Sequence, residues 1–498
     1  MIAGTLLSLA TFVAAIISVV AIALAVGIAT RQPGRIFQLL MLLVMIASVG
    51  TILLSGRVLV VGSQGLEVGS SADGGGLWSK VLLATVIGAA VSACIAWFLI
   101  PATRKRVLSR FNARRQLPPN DITIAFFVYF VTFSIFPLVF APIYEFHVSL
   151  VYPIFIFLAL LLWLQLSSLD PVLVVKQSMV VIVFGSLLAA LVWPEMATQP
   201  GYLGLIPGFN ERLWGVTASA NSLGSVACIL LVLEVAEPLK RKWTHLIVLS
   251  GAVAALLLSQ SKTAIVSGLV GAIVIVCWRL AGDLFRASHA PRNRVPLSAV
   301  TVGALAIVVT VGGFWLMFAD SNLLLNLSRK LDSRAVGDLS TASGRTLIWD
   351  VAIKGGLASP LFGQGLGFWS LENRVLTGLN GAVHAHNLFL QVFSRSGTVG
   401  LAAFLAFFWL LMRYSIRAAL PTRGGSIGVA VAFLMRAMVE VPIQPNSVLG
   451  AEFFAMVAYL FYVMDRGAKP ARVAIGARMP TAERPAMLQA APRSALKP

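Results

Sequence analysis

Charge is scarce in this chain. Of its 498 residues only 11% are Asp, Glu, Lys or Arg, while 58% are hydrophobic; soluble domains carry about a quarter charged residues. That shortfall excludes an ordinary soluble enzyme and leaves a polytopic membrane protein. Cysteine is nearly missing: Cys94, Cys228 and Cys277 each lie in an apolar run, without the spacing of a disulfide framework or a thiolate metal site. The alternating segments of a membrane barrel are absent too, so the spans are helical. Nor does an Asp-x-Asp, His-Glu-x-x-His or paired-carboxylate pattern stand out, which argues against a metallohydrolase or an ordinary glycosidase.

What the sequence does have is long apolar runs. A hydrocarbon core about 30 Å thick takes about 20 residues of helix. Roughly thirteen such runs can be read: near 5–27, 35–54, 80–101, 122–141, 149–167, 177–194, 216–236, 244–260, 263–279, 297–319, 387–412, 426–441 and 448–464. The expected fold is all-α. Transmembrane helices 1–10 occupy 1–319, a large extracytoplasmic loop with amphipathic helices occupies 320–386, and helices 11–13 occupy 387–465. The Ala-, Pro- and Arg-rich tail over 466–498 reads as disordered, basic and cytoplasmic. No internal repeat supports a transporter built from inverted halves.

The formal charge of +19 does not point to nucleic acid, because the basic residues sit in short loops between spans rather than in a groove module. Arg104, Lys105, Arg106, Arg110, Arg114 and Arg115 share one loop; Lys240, Arg241 and Lys242 share another; Arg413, Arg417 and Arg423 a third. The positive-inside rule assigns these to the cytoplasm. The loops of opposite parity, including 196–215, 259–263, 320–386 and 441–447, then face outward. The N-terminus is expected outside and the C-terminus inside. Within the large loop, "SGRTLIWDVAIKGGL" has helical spacing and is expected to lie at the outer interface, with Trp349, Phe368 and Trp369 at headgroup depth.

Several polar residues gather on that outward rim. Arg212 precedes the seventh span, and Lys262 sits in a tight turn among Ser259, Gln260, Ser261 and Thr263. Arg345 opens the amphipathic helix, His384 and His386 close the large loop, and Arg436 and Glu440 lie four apart near the end of the twelfth span. Each has a bland counterpart. A single cation at a helix end is commonly a snorkelling anchor, and Arg436 with Glu440 has the spacing of an intrahelical ion pair. Together, however, several cations in a partly desolvated pocket suit a polyanion such as a pyrophosphate. Histidines two apart on a helix point to different faces, so a metal shared by His384 and His386 is not expected. His386 reads either as a structural histidine or as a base, and Asn387 either as a helix cap or as a substrate-orienting group.

Four motifs, in order, resemble the O-antigen ligase/polymerase superfamily. They are "RLWGVTASANSLGS", with Arg212 and Asn221; "SQSKTAIVSGLVG", with Lys262; "SGRTLIWDVAIKGGLASPLFGQGLGFW", with Arg345; and "HNLFLQVFSRSGTVG", with His386 and Asn387. The resemblance covers about residues 200 to 400. It implies a membrane glycosyltransferase at the outer face of the bacterial inner membrane, using a glycan on undecaprenyl pyrophosphate and no metal or other cofactor. It further implies that His386 deprotonates an acceptor hydroxyl and that Arg212, Lys262 and Arg345 bind pyrophosphate. His384, Asn387, Asn221, Arg436 and Glu440 are accessory candidates. A single displacement would invert the anomeric carbon. Lys262 stands where ligases usually carry arginine, and this departure favours a polymerase of exopolysaccharide or O-antigen, whose acceptor is another lipid-linked repeat unit. The alternative is a ligase transferring the glycan to lipid A core or another acceptor. The expected partners are the lipid-linked donor, that acceptor, membrane lipids and a chain-length regulator. A lipid-linked glycan flippase is the rival of another class, and would need polar residues strung through its spans rather than gathered at one rim.

Overall fold

The computed structural model describes residues 2–62, 65–69, 75–113, 120–143, 152–164, 167, 169–202, 210–287, 341–377, 379, 382–444, 448 and 450–467. In chain order the elements are α1 (Ile2–Arg31), α2 (Ile36–Leu53), β1 (Val58–Gly62), β2 (Gly65–Gly69), α3 (Gly75–Leu99), α4 (Pro101–Ala113) and α5 (Asn120–Phe130). There follow α6 (Phe136–Phe140), α7 (Pro153–Leu164), α8 (Pro171–Val192), α9 (Pro194–Ala197), β3 (Thr198–Pro200) and β4 (Glu211–Leu213). The remainder is α10 (Ala220–Ala236), α11 (Lys242–Leu258), α12 (Lys262–Ala287), α13 (Thr341–Ala358), α14 (Leu371–Leu376), α15 (Leu388–Arg417), α16 (Gly425–Ala437) and α17 (Ala451–Gly467). The strands form two antiparallel pairs, β1 with β2 and β3 with β4. The other regular elements among the described residues are helical.

Local chemistry sets the helix boundaries. Asp170 caps α8 by accepting from the Val172 amide, with Pro171 at the first helical position. Ser219 does the same for α10 through the Ser222 amide. Such caps satisfy amides that have no partner inside the helix. Between α5 and α6 the chain widens into a π-turn over Val131–Ile135, just before Pro137, whose ring disfavours a regular helical bond. α10 and α17 are buried on nearly every side, from Leu223 to Leu230 and from Phe453 to Met464. They form the centre on which α8, α12, α15 and α16 pack.

The expectation of thirteen spans is overturned. Among the described residues, six helices are long and apolar enough to cross a membrane: Pro33–Leu53, Lys80–Leu99, Asp121–Phe140, Pro171–Val192, Lys262–Asp283 and Leu388–Arg417. Several other apolar runs fold as shorter helices, including Pro153–Leu164, Ala220–Ala236, Lys242–Leu258 and Gly425–Ala437. Their flanks have left the helix to make caps and turns, so run length overstates helix length. The expected span at 297–319 lies outside the described residues, as do the first part of the large loop, 320–340, and the tail from 468.

The amphipathic helix is present as α13, with Leu347 and Ile353 outward and Ala352 fully buried. Phe368 and Trp369 do not lie at a headgroup surface. They are buried in a small core with Ala352, Leu379, Ala382 and Ala385. The segment that carries them docks into α15, which is interrupted at Gly397 (φ 61°). There the Gln364 and Gly365 amides donate to the Ser394 and Arg395 carbonyls, while the Thr398 and Val399 amides donate to those of Pro360 and Leu361. A side chain at Gly397 would collide with the Leu361 backbone, and one at Gly363 with that of Arg395. The Pro-Leu-Phe-Gly and Ser-Gly-Thr motifs are thus two halves of one joint.

Candidate functional site

The candidate residues collect at one end of the bundle, where α10, α12 and α15 begin and α11 and α16 finish. The chain at Met196 and at Gly215–Thr217 is positioned by a buried cation. Arg57, 6% exposed, donates to the carbonyls of Met196, Gly215 and Thr217 at 2.6–3.0 Å. Burial lowers its guanidinium to about 10, so it stays charged at neutral pH. Arg57 is a brace that the sequence reading missed; its only signal is a lone arginine between an apolar run and a glycine-rich hairpin. Gly215 (φ 58°) lies against Ser186, whose hydroxyl accepts from the Val216 amide. β4 then presents Arg212, whose Nε donates to the Ser259 carbonyl at 2.8 Å and whose Nη2 donates to Asn221 Oδ1 at 2.7 Å. Its guanidinium also lies 4.7 Å from the centre of the Tyr202 ring.

Asn221 passes the connection on, donating from Nδ2 to Glu440 Oε1 at 3.0 Å. Glu440 is the hub. Arg345 Nη2 lies 3.5 Å from the same oxygen, while His386 Nδ1 and His384 Nε2 lie 3.3 Å and 3.9 Å from Oε2. Burial alone would raise the Glu440 carboxyl, but His386, His384 and Arg345 outweigh it and hold it down at about 2. Glu440 is therefore ionised. The sequence spacing suggests a helical pair with Arg436, yet α16 ends at Ala437 and the Glu440 amide merely donates to the Arg436 carbonyl. The carboxylate turns to Arg345 and the histidines instead.

The two imidazoles meet because the backbone between them is not helical. His386 has φ 48°, a left-handed conformation uncommon for a residue with a Cβ, and the ring centres lie 4.0 Å apart. The His386 amide donates to His384 Nδ1 at 3.1 Å, so neutral His384 carries its proton on Nε2, toward Glu440. Burial, then the His386 ring and Arg345, lowers His384 to about 4. Asn387 caps α15 by accepting from the Phe389 and Leu390 amides, and donates to the Met438 carbonyl at 3.0 Å. The cap thereby ties the histidine loop to the segment bearing Glu440.

Lys262 opens α12 beside a turn held by Gln260 (φ 49°), whose amide nitrogen donates to the Glu211 carbonyl at 2.7 Å. It adjoins the cluster through that turn. His384, His386 and Glu440 bring ligand-type atoms within 4.8 Å of one another, which the two-apart spacing on a helix argued against. The trio could hold a divalent ion. Arg345 and Asn221, already on Glu440 Oε1, oppose a second positive charge there.

The arrangement is a carboxylate and two imidazoles ringed by cations, at a rim where apolar helices end. A search of curated proteins returns no match. The match to a family model spans the Lys262 turn, Arg345 and the His384–Asn387 motif, and stops short of Arg212 and Glu440 on either side. Over residues 246–405 the chain matches the family described as O-Antigen ligase, Wzy_C.

Proposed function

We propose that the protein is a membrane glycosyltransferase of the O-antigen ligase type, moving a glycan from a lipid diphosphate to an acceptor hydroxyl. The observation that carries this is the His386–Glu440 pair set among Arg212, Arg345 and Asn221. An ionised Glu440 facing Nδ1 favours the tautomer protonated there, leaving the Nε2 lone pair of His386 to accept the proton of the acceptor hydroxyl. As that oxygen attacks the anomeric carbon, the bond to the diphosphate breaks. Arg212 and Arg345, with Lys262 beside them, stabilise the charge that develops on the leaving group. A single displacement inverts the anomeric centre.

The match to the ligase domain favours transfer to a different acceptor over polymerisation. The lysine at 262 is the feature that speaks for polymerisation, which would use the same donor site with a second lipid-linked unit opposite. Sidedness supports an outward-facing site. Lys240, Arg241 and Lys242 lie at the start of α11, while Arg212 is anchored at its finish, so the basic loop and the site occupy opposite ends. We place the site on the periplasmic face of the inner membrane.

A deletion strain analysed for surface polysaccharide tests the reading. Normal-length glycan left on its lipid carrier means ligase; single exported units without long chains mean polymerase. Complementation with His386→Asn, whose new side chain tolerates the left-handed backbone, should lower transfer at least about 100-fold with the protein still inserted. Full transfer by that variant would remove His386 as the base. Transfer should also survive a strong chelator, and restoration specifically by one divalent ion would make the His384–His386–Glu440 trio a metal site.

A further inference from the structure

One turn before Glu440 lies a charge that the site network does not use. Arg436 is 2% exposed, and among the described residues its Nε and Nη1 have no hydrogen-bond partner. Glu440, the nearest acid in sequence, is engaged by Arg345 and the histidines. A guanidinium buried between helices without a counter-charge is strongly unfavourable unless something anionic joins it.

The packing shows what surrounds it. α16 runs antiparallel to α10 and α12: Gly425 meets Ala236, Gly428 meets Gly271 and Ile275, and Ala432 meets Gly271. One further turn along α16 reaches Arg436, and one turn back along α12 from Gly271 reaches Ser267. The same register along α10 brings Ser225 level, and Arg436 lies within electrostatic reach of Cys228, one turn below it. The hydroxyls of Ser225 and Ser267 are buried, and both lack a partner among the described residues. Helical serines ordinarily satisfy themselves on the carbonyl four residues back, as Ser186 and Ser415 do here. Two that do not, within about a turn of a guanidinium whose Nε and Nη1 have no partner among the described residues, make a nest of donors.

We infer that Arg436 with the hydroxyls of Ser225 and Ser267 forms a buried oxyanion site, one helical turn beneath Glu440, that takes a phosphate group. Its identity as a diphosphate rests on the proposed transfer reaction, while the anion chemistry does not. Arg212 and Arg345 share Glu440, through Asn221 or directly, so their charge is partly neutralised before any ligand arrives. Arg436 retains its charge and would hold the phosphate deeper than they do.

The test uses the full chain in lipid nanodiscs, with inorganic pyrophosphate as probe and thermal unfolding as readout. Pyrophosphate should raise the wild-type Tm. Arg436→Met keeps the bulk and removes the charge; it should abolish that rise and, without anion, unfold at a higher temperature than the wild type. Ser225→Ala and Ser267→Ala should each raise the half-saturating pyrophosphate concentration about 10-fold. An Arg436→Met protein that responds to pyrophosphate like the wild type, or that is less stable without it, overturns the inference. Nanodiscs doped with a polyprenyl diphosphate distinguish the source. Saturation at lower concentration than by inorganic pyrophosphate identifies the donor headgroup; preference for the free ion identifies a soluble phosphate compound. His386→Asn should bind pyrophosphate normally. If that variant transfers glycan at the wild-type rate, the reaction reading fails while the Arg436 site stands.

Discussion

His384 and Glu440 show how position sets protonation. His384 is held neutral, at about 4 in the fold against an ordinary 6.5. The unfolded chain therefore binds more protons than the native one between those values, and stability falls as pH drops through that window. The wild type should lose at most about 3 kcal/mol between pH 6.5 and 4 from this group, and His384→Gln should remove that share of the slope. Chemical denaturation in a membrane mimic at several pH values measures it; parallel slopes would mean the ring titrates normally. Residues with a motif around them, such as Arg212, Arg345 and His386, are legible in the sequence. Glu440 is harder to see, because Arg436 four residues earlier offers a local explanation for it. Only the end of α16 at Ala437 frees the carboxylate to face a loop more than fifty residues away.

At the scale of elements, the cap on α15 does two things at once. Asn387 satisfies the first amides of the helix and ties the histidine loop to Met438. Asn387→Ala should cost about 1–2 kcal/mol and lower transfer, since the imidazole loses its tie to the Glu440 segment. Asn387→Asp retains the cap without the donated bond, so it should recover most of the stability and less of the activity. Unfolding midpoints and transfer rates, measured on the same preparations, separate the two effects. Composition exposes the apolar runs and the amphipathic α13, but it does not show where a run stops being helix. The runs at 216–236 and 426–441 read as spans, yet each contributes a shorter helix and an unwound end that carries Ser219 or Glu440. Phe368 and Trp369 read as interfacial aromatics, but the joint at Gly397 draws them into a core that periodicity cannot reveal.

Across the whole molecule, charge is concentrated at the two ends of the bundle. At the end opposite the site, Arg466 joins Asp170 and Glu237, and buried Glu234 meets Lys176 and His245. A cavity of about 430 Å³ opens there, lined in part by Lys176, Lys240, Arg241 and Arg466. The proposed sidedness is testable by single cysteines at Glu372, in α14 near the site, and at Arg241, with an impermeant thiol reagent on intact cells stripped of their outer membrane. Glu372→Cys should label and Arg241→Cys should not; the reverse pattern would turn the site toward the cytoplasm and end the lipid-linked donor reading.

The joint between the 360–365 segment and the gap in α15 has a mechanical corollary. A helix held at its middle by four hydrogen bonds to a neighbouring loop cannot slide along its own axis as a free rod would. Changes in bilayer thickness should then be taken up by tilting of peripheral helices such as α1 and α3, leaving the height of the imidazole above the lipid tails unchanged.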